Sequence, residues 1–379
     1  MNKILLLLVL TPVSLFSQQG KLTLGDLFFT DKYYAEEVEN VQWLPDGSAF
    51  TFTEEDENGL LDIYKYDIAS GTTNLLLDGN ELAYNSSTII MSSYKWTDDG
   101  KYLIIEGPEK EIWRHSRQAP FYLYEVENGN ITALGNNHPG LRNVKLSPDG
   151  SKVGFVKDHN IYVTIFETNE EVKITSDGDK NILNGEFDWV YEEEFGIADG
   201  WRWSPDGNKI AFWRFDQTRV KEFHLIDEME PYNKVMSLKY PKTGEDNSII
   251  KIGVYDFTDG TTNWMDIGEE IDLYFPRIYW TNSSDRLVIL RLNRHQNHIE
   301  VLMNDVESGK GKVVLTDSDS CWIDIETKKA IFLKNEDKFV WVSERSGYKH
   351  AYLYDYDGNL INQITTGDWE IISIEGVSE

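Results

Sequence analysis

The chain has 379 residues, with 36 Lys+Arg against 65 Asp+Glu and a formal net charge of −29. At roughly 100–200 residues per domain it holds two or three domains, or one large all-β domain. The acidity excludes nucleic acid as a partner, which needs clustered Lys and Arg, and a single cysteine, Cys321, excludes an intrachain disulfide and any cysteine zinc site. Aromatic residues make up 13% of the chain, including 12 Trp and 20 Tyr, which favours pleated structure.

The N-terminus reads as an address. Lys3 precedes the apolar run Ile4-Leu5-Leu6-Leu7-Leu8-Val9-Leu10, and Thr11, Pro12 and a second short apolar stretch lead to Phe16-Ser17-Gln18-Gln19. The run is far shorter than the ~20 residues that span a bilayer. A cleavable signal peptide over residues 1–19 is therefore expected, with a periplasmic or extracellular mature protein.

From about residue 36 one phrase recurs. It appears as Val41-Gln42-Trp43-Leu44-Pro45-Asp46-Gly47, Tyr94-Lys95-Trp96-Thr97-Asp98-Asp99-Gly100 and Val144-Lys145-Leu146-Ser147-Pro148-Asp149-Gly150. It returns as Trp201-Arg202-Trp203-Ser204-Pro205-Asp206-Gly207 and, more loosely, as Ile278-Tyr279-Trp280-Thr281-Asn282-Ser283-Ser284-Asp285. A degenerate sixth copy is read at Cys321-Trp322-Ile323-Asp324. Each copy is a strand, a turn and a second strand, because Asp-Gly supplies the reversal between two apolar runs. A second hairpin follows most copies, as at Phe121-Tyr122-Leu123-Tyr124-Glu125 before Gly129. Four short strands recurring roughly every 40–60 residues predict an all-β β-propeller of four-stranded antiparallel blades, about six of them here. The wide step between Trp203 and Trp280 predicts an insertion within Asp227–Asn247.

Two segments break the rhythm. Phe187-Asp188-Trp189-Val190-Tyr191-Glu192-Glu193-Glu194-Phe195-Gly196 lacks alternation and turn signals. Asp188 can cap a helix and Gly196 can close it, so a short helix over 188–196 is predicted. Carboxylates of that triplet facing inwards would form a receptor for an ammonium group. The other segment is Glu111-Ile112-Trp113-Arg114-His115-Ser116-Arg117, whose cations could pair with the glutamates or hold a carbonyl. His295 and His298 lie in a strand–turn–strand stretch, so no metal is expected there, and no phosphate-cradling loop occurs. No cofactor and no metal are expected.

Asp188-Trp189-Val190-Tyr191-Glu192-Glu193-Glu194 resembles the signature of the dipeptidyl peptidase IV family of prolyl oligopeptidase-type serine peptidases. Trp113-Arg114-His115-Ser116, Val235 through Asn247, and Ser343 through His350 resemble further segments of that family, over essentially everything from Leu22 onward. The resemblance implies an eight-bladed propeller capping an α/β-hydrolase domain, and release of Xaa-Pro or Xaa-Ala dipeptides from free N-termini. By position it implies that Glu193 and Glu194 hold the substrate's α-ammonium and that Arg114 binds a substrate carbonyl. No G-x-S-x-G elbow occurs in the sequence. The expectation is therefore a truncated propeller over residues 20–379, without the Ser/Asp/His triad and inactive alone, whose partners are peptides with free N-termini and the missing α/β-hydrolase domain. The full-length protein is expected as a homodimer. The competing reading is a non-catalytic envelope propeller that binds a protein or peptide.

Overall fold

The computed structural model describes residues 22–30, 32–34, 39–44, 46–97, 99–229, 231–325 and 330–378. The expected signal peptide lies outside the described residues. The chain divides into two units, 1–39 and 40–379. In the first, helix α1 (Leu24–Phe28) starts at a capping box in which Thr23 and Asp26 satisfy each other's backbone N–H groups. No described helix is long and apolar enough to cross a membrane.

Among the described residues the second unit holds a succession of six antiparallel sheets, each built around four strands in the manner of propeller blades, and three small two-stranded ladders beside them. Sheet 1 runs Glu39–Trp43, Ala49–Glu55, Leu61–Asp67, Thr72–Leu77, and sheet 2 runs Ser93–Trp96, Tyr102–Glu106, Phe121–Glu125, Ile131–Ala133. Sheet 3 is Arg142–Leu146, Lys152–Lys157, Asn160–Ile165, Glu170–Lys173. Sheet 4 contains Trp201–Trp203, Lys209–Asp216, Ile249–Asp256 and Thr261–Trp264, with Ile182–Asn184 extending its inner edge. Sheet 5 contains Ile278–Trp280, Arg286–Asn293, His298–Asp305 and Gly311–Ser318, with Leu273–Tyr274 added in the same way. Sheet 6 is Ala330–Phe332, Lys338–Ser343, His350–Asp355, Leu360–Gln363.

The repeated phrase supplies the first turn of each sheet. Gly47, Gly100, Gly150 and Gly207 all sit at φ near +68°, where a side chain would be strained. Each donates its N–H at 2.9 Å to the carbonyl three residues earlier. The aspartate before each glycine accepts the N–H two residues on, as from Asn208 to Asp206 at 3.0 Å. Burial raises the Asp206 carboxyl, but the Ser204 hydroxyl and the Asn208 N–H outweigh it and hold it at about 2.

The tryptophan of the phrase fastens sheets 2, 4 and 5 each to the sheet before. The Trp96 indole N–H donates to Thr51 Oγ1 at 2.9 Å, Trp203 to the Lys145 carbonyl at 3.2 Å, and Trp280 to the Arg202 carbonyl at 3.5 Å. Apolar clusters seal the same joints. Ile63, Leu82, Tyr94 and Leu103 join sheets 1 and 2, and Ile104, Leu123, Leu141 and Phe155 join sheets 2 and 3. Val156, Ile161, Trp201 and Phe212 join sheets 3 and 4, and one large cluster unites sheets 4, 5 and 6. The third joint is close enough to require Gly154, where a Cβ would fall 2.5 Å from the Trp201 ring.

Two expectations shift. The sixth copy of the phrase is not at 321–324, which is irregular. It lies at Ala330–Phe332 and the turn after it, where Leu333 N–H bonds to the Lys338 carbonyl as Ser204 does to Lys209. Phe332 takes the tryptophan's place and packs on Tyr279 of sheet 5. The insertion of sheet 4 is an exposed hairpin, Glu222–Asp227 paired with Lys234–Lys239, and so begins earlier than the expected bound. His295 lies in the turn and His298 at the strand start of the predicted sheet 5 hairpin.

Candidate functional site

Helix α2 spans Trp189–Phe195. Asp188 caps it, its Oδ1 accepting the Tyr191 N–H at 3.1 Å, and Gly196 closes it in the left-handed region at φ 62°. Val190, Tyr191 and Phe195 face the large core. A 3.6-residue turn then places Glu192 on the inner side as well, between Tyr191 and Phe195, while Glu193 and Glu194 come round to the outside.

Four attachments fix the helix. Ser248 donates its hydroxyl to Asp188 Oδ2 at 2.6 Å, and the Phe275 N–H donates to the Tyr191 hydroxyl at 2.7 Å. Arg277, buried and without a carboxylate partner among the described residues, donates to the Phe195 carbonyl at 3.0 Å and to the Pro276 carbonyl at 2.8 Å. It puts a cation at the negative end of the helix. Glu192, only 1% exposed, accepts the backbone N–H groups of His115 and Ser116 at 2.8 and 2.7 Å. Burial pushes up the Asp188 carboxyl against its hydrogen bonds from Ser248 and the Tyr191 N–H, pushes up the Tyr191 hydroxyl, and lowers Arg277.

The Glu192 bonds dock a small finger of sheet 2, Lys110–Glu111 paired with Arg117–Gln118, against the helix. The finger's tip delivers Arg114, whose Nε donates to Glu193 Oε2 at 2.8 Å. The pair is asymmetric, with 69% of the Arg114 side chain exposed against 18% of Glu193. Its Nε is taken, and its terminal nitrogens have no partner among the described residues. Glu194 is exposed and equally unpartnered, and lines a cavity of about 580 Å³ with Trp189, Tyr240, Tyr274 and Arg294. The structure thus joins two of the three residues singled out in the sequence, and sets the third beside them on the same helix.

Sequence reasoning missed Glu192, Arg277 and Ser248. Glu192 had a readable signal, since helical spacing puts one acid of the triplet on the side of Tyr191 and Phe195. A further cluster also went unread. Buried Glu186 accepts from both Arg142 Nη1 and His159 Nδ1, beside a cavity of about 370 Å³ that also reaches Trp113 and Trp189. The hydrogen bond to Glu186 raises the His159 pKa against the opposing effect of burial.

The fold is that of a β-propeller in which a glutamate-bearing helix sits between the strands Ile182–Asn184 and Trp201–Trp203 of sheet 4. Residues 97–379 match the family described as the dipeptidyl peptidase IV (DPP IV) N-terminal region. Dipeptidyl aminopeptidase B of Saccharomyces cerevisiae is 26% identical over 388 residues, covering 96% of this chain and 46% of the yeast protein. The crystal structure of Porphyromonas gingivalis dipeptidyl peptidase 4 superposes with a TM-score of 0.82 at 31% identity, covering 94% of this chain and 50% of that one. The chain belongs to the dipeptidyl peptidase IV N-terminal family, and it spans about half the length of these relatives.

Proposed function

We propose that this chain is the N-terminus-binding and substrate-gating propeller of an exported serine-type dipeptidyl peptidase that releases Xaa-Pro or Xaa-Ala dipeptides. The observation that carries the reading is the placement of Glu193 and Glu194 on a helix fastened at both ends, with Arg114 docked on Glu193. The two carboxylates would grip the α-ammonium of a peptide, each charge-assisted hydrogen bond being worth roughly 1.5–3 kcal/mol. Glu193 holds Arg114 through Nε, which leaves the terminal nitrogens to donate to a carbonyl of the bound peptide. A grip on the chain end measures the substrate from its N-terminus and sets one peptide bond before the nucleophile. In the proposed enzyme that nucleophile is a serine of an α/β-hydrolase domain.

The test is kinetic and uses the full-length protein. Glu193→Ala and Glu194→Ala should each lower kcat/KM on a free-N-terminus Xaa-Pro reporter by at least about a hundredfold, the loss of one to two charge-assisted bonds. Arg114→Ala should cost about tenfold, the value of one polar contact. Unchanged kcat/KM in both glutamate variants would remove the reading.

A further inference from the structure

The repeated phrase carries a second pattern that the peptide grip does not use. The residue before its aromatic position is Lys95 in sheet 2, Lys145 in sheet 3 and Arg202 in sheet 4. Three successive inner strands therefore place a cation at the same register. In a chain with 65 acidic residues against 36 basic ones, cations should find carboxylates easily. Here they do not. Asp199 alone serves two of them, at 2.5 Å from Lys145 Nζ and 2.8 Å from Arg202 Nη1. Lys95 is exposed, with no ion pair or hydrogen bond among the described residues.

Lys95 and Lys145 open on one cavity of about 460 Å³ between sheets 2 and 3, and Arg117 of the finger lines it too. Arg117 has only loose acidic neighbours, Glu109 at 3.4 Å and Glu111 at 4.0 Å. Among the described residues the one carboxylate lining the cavity is Glu106, which is occupied by the Ser93 hydroxyl at 2.7 Å, and burial pushes its pKa up. Tyr94, Trp96, Phe121 and Leu141 give the cavity an apolar and aromatic side, and Ser93, His115 and Asn143 complete the wall. A cavity with converging cations and an apolar wall suits an organic anion more than a bare ion.

We propose that this cavity binds an organic carboxylate with an apolar body, its carboxylate held by Lys95, Lys145 and Arg117 and its body lying on Trp96 and Phe121. The crowding of like charge supports the assignment. Burial brings Lys145 down to about 7, with Asp199 opposing and Arg202 and Lys95 adding to the effect, although 26% of its side chain still reaches the open. A bound carboxylate relieves that crowding. The proposal does not depend on the peptidase reading, because the cavity and its cations belong to this chain alone.

Calorimetric titration of the 379-residue chain with phenylacetate, phenylacetamide and inorganic phosphate at matched ionic strength tests it. Phenylacetate should bind at least about tenfold more tightly than its uncharged amide and more tightly than phosphate, tenfold being about 1.4 kcal/mol. Lys95→Gln and, separately, Arg117→Gln should each weaken phenylacetate about tenfold. Lys95 is exposed and the Arg117 side chain is 49% exposed in a weak surface ion pair, so the melting temperature of the unliganded variants should stay close to that of the parent. Equal binding of acid and amide would reduce the cavity to an apolar hole. Equal binding of phosphate would reduce it to unspecific cation screening. Unchanged affinity in both variants would remove the assignment altogether.

Discussion

Two excursions leave the sheets of this propeller, and they are held in opposite ways. The finger at 110–118 has only two residue pairs in its ladder, too few for a hairpin to hold itself in water. Its position comes from outside, from the buried carboxylate of Glu192 and from the pairing of Arg114 with Glu193. The hairpin at 222–239 has six pairs and carries its apolar side chains outwards, with Met229 92% and Tyr232 90% exposed. One excursion is slaved to the helix, and the other is paired along its own length and packs Phe223 on Tyr240 at its base. The difference teaches where precision is needed. A side chain that must meet a partner across 79 residues of sequence is anchored through its neighbours' backbone, since a half-exposed ion pair contributes only about 0–1 kcal/mol.

The comparison breaks most directly at Glu192. Glu192→Ala strands two N–H groups and should cost about 3 kcal/mol in urea unfolding, two charge-assisted bonds less what water repays. The His115 and Ser116 amides should then exchange with deuterium at least about tenfold faster. Protected amides in that variant would show the finger to be self-supporting after all. A smaller effect is expected at the other end of the helix. Arg277→Ala should cost about 2 kcal/mol, while Arg277→Met should cost less, because it fills the space and removes the burden of a buried charge.

A pH effect comes next. The pKa of His159 is raised by its hydrogen bond to Glu186. Its contribution to stability is thus fully present below the unfolded value near 6.5 and is lost as pH rises through the folded value. Unfolding midpoints should fall across that window in the parent and fall less in His159→Gln, and parallel profiles would disprove the coupling. The smallest effect belongs to the hairpin, where Tyr232→Ser should shift stability by no more than about 0.5 kcal/mol. A larger loss would mean that the hairpin rests on a partner surface.

Much of the architecture was legible because it repeats. Pro-Asp-Gly turns and the tryptophan before them announce strand, reversal and strand, and the Asp188 and Gly196 caps bound the one α-helix described in the second unit. The sixth copy was misplaced because its turn, Leu333-Lys334-Asn335-Glu336-Asp337, has neither Pro nor Gly, and because Phe332 replaces the tryptophan. The glutamate triplet was legible as chemistry but not as a division of labour. Deciding that Glu192 builds the site while Glu193 and Glu194 present it requires the direction of the core, which Tyr191 and Phe195 define. The Arg142–Glu186–His159 cluster was invisible for another reason. Its members come from sheet 3 and the approach to α2, and only the stacking of sheets brings them together.

The central claim is that the helix carrying Glu193 and Glu194 holds the charged end of a peptide. The most direct measurement is the ratio of kcat/KM for a free Xaa-Pro reporter to that for its N-acetylated form, in the full-length protein and in its Glu194→Gln variant. The account predicts a ratio of at least about a thousand in the parent, two charge-assisted hydrogen bonds lost together, and a collapse of that ratio by tenfold or more in the variant. A parent enzyme that cleaves both reporters equally well, or a ratio untouched by Glu194→Gln, would contradict it.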